Sequence, residues 1–228
     1  MRARDVMVRA VVTTSPDTAV EALARLMINL RISGVPVMDR HGQLVGIVTE
    51  GDLLRRVETG TERHRPRWSE AFSPNSRLAA EYIKSHAKRV ADIMTREVFS
   101  VEELATLGEI ADLLETKHIK RVPVVHDGKI IGIVSRADLL KVLASGGVKT
   151  ADEERDRTIR RQLLAELREQ KWAAAGEGHV VVSDGVVHFW GLVGSEEERR
   201  ALRIVAENTP GVRGIEDHTE FATALAMM

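Results

Sequence analysis

Two short motifs hold the residues best suited to chemistry: Thr49 with Asp52, and Ser135 with Asp138. They close the runs G-I-V-T-E-G-D and G-I-V-S-R-A-D, where a strand is expected to run into a helix. A hydroxyl and the free amides of a helix start suit a phosphate. A carboxylate three residues on can accept two hydrogen bonds from ribose hydroxyls, as an acidic residue does in dinucleotide folds. That combination reads as a nucleotide site. The S/T-x-x-D spacing is also a form of the helix capping box, which needs no ligand. On the motif alone both readings stand.

The motifs recur because everything around them recurs. Residues 5–57 run from Asp5-Val6-Met7 through R-I-S-G-V-P-V-M to L-V-G-I-V-T-E-G-D-L-L-R-R-V. Residues 92–143 run from Asp92-Ile93-Met94 through H-I-K-R-V-P-V-V to I-I-G-I-V-S-R-A-D-L-L-K-V-L. Met7 and Met94 lie 87 positions apart, as do Pro36 and Pro123, whereas Gly46 and Gly132 lie 86 apart. The turn between those points is therefore one residue shorter in the second copy. A duplicated unit of this size packs against its copy and makes two related clefts, which points to a binding module before an enzyme.

Each copy is expected to run β-α-β-β-α. A β-prone stretch (Val11-Val12-Thr13, Val98-Phe99-Ser100) precedes an amphipathic helix carrying Val20, Leu23, Ala24, Met27 and Leu30, or Leu107, Ile110, Ala111, Leu114 and Ile119. Strands Val35–Met38 and Leu44–Val48 follow, joined by Asp39-Arg40-His41-Gly42. Val122–Val125 and Ile130–Val134 are their counterparts, joined by His126-Asp127-Gly128, a good hairpin signal. A second helix starts at Glu50 or Arg136.

Between the copies the composition changes. Residues 59–89 begin basic (Arg63, His64, Arg65, Arg67), hold Trp68 and are broken by Pro66 and Pro74. Leu78, Tyr82, Ile83 and Ala87 then predict a helix. The segment reads as a solvated linker with one docked face; its basic cluster also suits a phosphate or an acidic partner. After Gly146-Gly147 a third region begins, spanning 151–224. It predicts a helix with Ile159, Leu163, Leu164 and Leu167 on one face, a hairpin turning at Asp184-Gly185, a helix capped by Ser195, and a last strand over Val212–Phe221. The order is α-β-β-α-β.

Taken together, the two copies resemble the CBS domain and their pair a Bateman module, over 1–58 and 90–145. The fold class is then α+β, with two β-α-β-β-α repeats packed as a pair. The resemblance implies clefts that bind adenosine-containing ligands: AMP, ADP, ATP, NAD or S-adenosylmethionine. By position, Thr49 and Ser135 would contact phosphate, and Asp52 and Asp138 ribose. Val12 and Phe99 would line the base pocket, with Met7 and Met94 near it. Ser33-Gly34-Val35-Pro36 and Lys120-Arg121-Val122-Pro123 would form the opposing wall, where Lys120 and Arg121 either narrow the second cleft or add charge for a di- or triphosphate. The C-terminal region resembles the BON domain, through V-V-V-S-D-G-V-V, W-G-L-V and P-G-V-R-G-I. That implies an interaction domain for phospholipid or another protein. CBS pairs commonly stack as discs, and Leu23, Met27, Leu53, Leu54, Leu113, Leu114, Leu139 and Leu140 are more than one compact pair is expected to bury, so a homodimer is expected.

Composition narrows the rest. The 228 residues are 43% hydrophobic and 29% charged, as in soluble globular proteins. With no cysteine there is no disulfide, thiol nucleophile or thiolate metal site. A net charge of -1 gives no general pull towards nucleic acid. Arg2 and Arg4 have no apolar stretch behind them and no run is long enough to span a bilayer, so a cytoplasmic protein is expected. The eight histidines show no metal-ligand spacing and read as surface or turn residues, so no metal is expected. No triad, carboxylate dyad or P-loop is legible, which argues against an enzyme.

Overall fold

A computed structural model describes residues 1–54, 60–61, 75–147, 152–173 and 180–222. The basic cluster from Arg63 to Trp68, with Pro66 and Pro74, lies outside the described residues. The elements begin with α1 (Ala3–Val6), α2 (Val20–Asn29), β1 (Gly34–Met38), β2 (Leu44–Thr49), α3 (Glu50–Leu53), α4 (Asn75–His86) and α5 (Val90–Ile93). The second copy continues with β3 (Val101–Glu102), α6 (Leu107–Thr116), β4 (Arg121–His126), β5 (Lys129–Ser135) and α7 (Arg136–Ala144). The C-terminal region holds α8 (Glu153–Glu169), a 3-10 turn (Lys171–Ala173), β6 (Val180–Ser183), β7 (Val186–Val193), α9 (Glu196–Glu207) and β8 (Gly214–Phe221). Among the described residues no helix is long and apolar enough to cross a membrane.

Both expected hairpins form. β1 and β2 pair antiparallel with Gly34 opposite Thr49, and β4 and β5 with Arg121 opposite Ser135. Each has its register shift at the equivalent place, Val37/Met38 and Val124/Val125. The shorter second turn is made by Asp127 and Gly128 at φ 49° and 74°, a left-handed pair that Asp-Gly tolerates. The leading β-prone stretches pair later than expected. Thr14, not Val11–Thr13, makes a single parallel bridge to Val37, and the second copy's strand is Val101–Glu102 beside β4. Valine's strand propensity does not supply a partner; the amides that find one are Thr14 N, on Pro36 O at 3.0 Å, and Met38 N, on Thr14 O at 2.8 Å.

The chain divides into two compact units, Val12–Phe99 and Met1–Val11 with the residues from Ser100 onward. The segment that opens each copy therefore belongs to the other copy's core. In the first unit Val90, Ile93 and Met94 pack with Val20, Leu23, Met27, Val35, Val37 and Val48. In the second, Ala3, Val6 and Met7 pack with Ile110, Leu114, Val122, Val124, Val134 and Val142. Each such side chain contributes about 1.5–3 kcal/mol on burial, so the exchange is worth several side chains per unit. Backbone bonds fix it: Val8 and Ile133 exchange two at 2.9 Å, and Thr95 and Ile47 exchange two at 2.9 and 3.0 Å.

The C-terminal region has its own core. Ile159, Leu163, Leu164 and Leu167 of α8 and Leu202 and Ala206 of α9 cover one face of the β6-β7-β8 sheet, contributed by Val180, Val182, Val187 and Phe189. β7 runs antiparallel to β6 and parallel to β8. Ser195 caps α9, its Oγ accepting from Glu198 N at 3.1 Å, as the sequence predicts. Asp156 is buried and accepts from Asp184 N and Gly185 N at 2.8 and 2.7 Å, holding the hairpin turn.

This region is also docked on the second repeat. Arg160 is 6% exposed and donates to Val180 O at 3.0 Å, Arg4 O at 3.1 Å and Met7 O at 3.1 Å. Burial, and then Arg9, pushes its guanidinium down to about 10. Arg157 pairs with Asp5 at 3.0 Å and the N-terminal ammonium with Glu153 at 2.7 Å. Val181 joins the core formed by Ala3, Val6 and Ile110.

Candidate functional site

The two motifs fold into the same constellation. Thr49 ends β2 and Ser135 ends β5, each at an extended backbone (φ -123° and -116°) one residue before a helix. Asp52 Oδ2 accepts from Thr49 N and Oγ1, both at 3.0 Å. Asp138 Oδ2 accepts from Ser135 N at 2.8 Å and Oγ at 2.7 Å. The second oxygen of each carboxylate takes a lysine: Lys84 at 2.9 Å on Asp52 Oδ1, Lys141 at 2.8 Å on Asp138 Oδ1. The capping geometry is thus real, and it aims both hydroxyl protons inwards. With its proton given to the carboxylate, each hydroxyl can donate to a phosphate only by turning away from Asp52 or Asp138. Asp138 is 5% exposed, and Asp52 is half-buried.

Strand register brings the expected wall beside the motif. Glu50 N donates to Ser33 O at 3.2 Å, and Arg136 N to Lys120 O at 3.1 Å. Ser33-Gly34 and Lys120-Arg121 therefore adjoin Thr49 and Ser135 directly. Val35 and Val122 are fully buried, and Gly34, Pro36 and Pro123 are buried too, so they shape the wall through backbone. Ser33 and Arg121 are half-buried and Lys120 exposed, so part of the positive charge added to the second wall lies at the surface. Val12 is half-buried two residues before the Thr14 bridge; Phe99, also half-buried, stands two residues before its counterpart Val101.

Met7 and Met94 are core residues: Met7 has no exposed surface and Met94 8%. Each lies over a strand glycine of its unit. A Cβ at Gly132 would come 2.7 Å from Met7 Cγ, and one at Gly46 would come 2.6 Å from Met94 Sδ. Among the described histidines, His188 departs from the surface or turn reading. His188 is buried in β7, its register partner across the sheet is Glu216, and His218 lies two residues further along β8. These residues are far apart in sequence, and only the parallel pairing of β7 with β8 joins them.

Residues 3–59 and 90–145 match the CBS domain, and residues 155–223 match the BON domain. An uncharacterized protein of Methanocaldococcus jannaschii is 32% identical over 154 residues, 63% of this chain and 91% of its own length. The chloroplastic CBS domain-containing protein CBSX1 of Arabidopsis thaliana is 35% identical over 133 residues, 55% of this chain and 56% of CBSX1. The chain thus matches about half the length of that relative. The solved structure of CBSX2 in complex with AMP is similar at a TM-score of 0.55 and 28% identity, covering 63% of this chain and 97% of that one.

Proposed function

Because this chain belongs to the CBS-domain family, as a tandem pair followed by a BON domain, we propose that it is a regulatory module that binds an adenosine nucleotide. The sites are the Thr49–Asp52 and Ser135–Asp138 junctions. The observation that carries the reading is the recurrence of one hydroxyl–carboxylate–lysine geometry at both junctions. Similarity to CBSX2, whose structure holds AMP, makes AMP the first ligand to try. The phosphate would take the hydroxyl protons now given to the carboxylates, and the ribose would take over carboxylate lone pairs now shared with lysine. A thermal-shift screen of AMP, ADP, ATP, NAD and S-adenosylmethionine tests it, since a specific ligand stabilises by RT ln(1 + [L]/Kd). No shift with any of the five overturns it.

The signal would leave through the BON domain. Asp138 opens α7, whose Val142 packs in one core with Ala3, Val6 and Met7. The carbonyls of Arg4 and Met7 are held by Arg160 of the BON domain. A ligand that draws on the start of α7 acts on that core, by no more than its differential affinity for the two arrangements, typically 1–3 kcal/mol. Hydrogen exchange over β6 and β7 with and without AMP reads the effect. Identical protection in both states removes the BON domain from the pathway.

A second reading, a dimeric scaffold presenting the BON domain to lipid or protein, draws on the surface of α7. Leu23, Met27 and Leu114 are buried in the chain's own cores, but Leu140 and Leu143 are 63% and 71% exposed. Apolar side chains so placed favour self-association. Light scattering at micromolar concentration distinguishes a homodimer from a monomer.

A further inference from the structure

The BON sheet carries a second cluster, on the face turned away from its helices. Val187 and Phe189 of β7 point into the helix-covered core, so His188 and Trp190 occupy the opposite face. Parallel register sets Glu216 beside His188 and His218 beside Trp190. The three donor atoms then converge. His188 Nδ1 lies 3.4 Å from His218 Nε2 and 3.3 Å from Glu216 Oε2, and His218 Nε2 lies 3.5 Å from the same oxygen.

Those separations match one geometry. Zinc bound tetrahedrally by imidazole nitrogen and carboxylate oxygen, at roughly 2.0–2.2 Å, places its ligand atoms about 3.3–3.5 Å apart. Two imidazoles and a carboxylate are also the donor set that divalent zinc, cobalt and nickel prefer over magnesium or calcium. The surroundings orient the ligands. Trp190 stacks on the His218 ring at 4.0 Å and 15°, and His188 is buried while Glu216 remains exposed, which leaves an approach from solvent.

We propose that His188, Glu216 and His218 form a three-ligand site for a divalent transition metal, zinc first, with its fourth position open to water or to a partner's donor. The ion ties β7 to β8. It does so on the face whose Trp190 and neighbouring Val181 pack against the core of the second repeat. The proposal is independent of the nucleotide reading.

The test uses the full chain, free of any affinity tag and stripped with a chelator. Cobalt titration should produce the visible bands of a tetrahedral centre at one ion per chain, and zinc should displace it. His218→Ala and Glu216→Gln change residues that are not buried and should fold normally by circular dichroism. Each should weaken zinc by roughly tenfold or more in calorimetry. Zinc should also raise the thermal midpoint of the wild type and not of the variants. Zinc affinity unchanged in both folded variants, or an octahedral cobalt spectrum, overturns the site. A wild type that takes up no ion at all does so too.

Discussion

Met7 opens the first CBS repeat and rests on Gly132, a strand residue of the second; a Cβ there would come 2.7 Å from Met7 Cγ and 3.0 Å from Met7 Cβ. Met94 and Gly46 repeat the relationship in the other unit, with contacts of 2.6 and 2.9 Å to Met94 Sδ and Cγ. Glycine is required at both places for space rather than for a positive φ. The exchange of opening segments between the repeats depends on it.

Gly132→Ala should therefore destabilise the protein by about 1–3 kcal/mol, the usual cost of overfilling a packed core. Because the side chain in the way is met at Cβ, Cγ and sulfur, swinging its tip aside does not relieve the clash. Met7→Ala alone should cost about 2–5 kcal/mol. The double variant should be less destabilised than the sum. Denaturation of all four proteins checks this; simple additivity contradicts the contact.

Arg160→Met should loosen the BON domain from the second repeat. It leaves three backbone carbonyls, of Arg4, Met7 and Val180, without their charged donor. Each buried group so stranded costs about 1–3 kcal/mol. Amide exchange along α1 and β6 should accelerate, while α2 and β1, in the other unit, should stay as protected as before. Unaltered exchange in α1 would show that the docking does not depend on Arg160.

Much of this was legible in sequence, and the reasons are local. The β1–β2 and β4–β5 hairpins, the Ser195 cap and the amphipathic α2, α6 and α8 follow from alternation, Asp-Gly turns and helical spacing, which neighbouring residues decide among themselves. The Thr49–Asp52 and Ser135–Asp138 motifs were visible because their partners lie three residues away. What was not legible depends on residues distant in sequence. Nothing near Met7 says that Gly132 receives it. Nothing near Arg160 says that it reaches two carbonyls of the N-terminal segment. His188 reads in sequence as a surface or turn residue; it is β8 that places Glu216 and His218 beside it.

The cap on α6 gives a pH dependence. Glu109 accepts from Thr106 N at 2.7 Å and from Thr106 Oγ1 at 2.9 Å, and the bond from the Thr106 amide, then that from its hydroxyl, lowers its carboxyl below the usual 4.5. A carboxylate whose folded value is lowered contributes stability above its unfolded value and loses it as pH falls through the folded one. Glu109→Gln should therefore lower the thermal midpoint at neutral pH, and the gap from wild type should narrow below about pH 4. A gap that is constant with pH contradicts the assignment.

The central claim is that Asp52 and Asp138 hold a nucleotide as well as capping their helices. Calorimetric titration of AMP into the wild type, Asp52→Ala, Asp138→Ala and the double variant tests it most directly, with folding of each confirmed by circular dichroism. Each alanine should lower the thermal midpoint, since a lost cap costs about 0.5–2 kcal/mol. Each should also weaken AMP at its own junction by roughly ten- to a hundredfold, the equivalent of about 1.5–3 kcal/mol for a charge-assisted hydrogen bond. The double variant should show no specific heat of binding. A folded double variant that titrates like the wild type would contradict the claim and leave both carboxylates as caps alone.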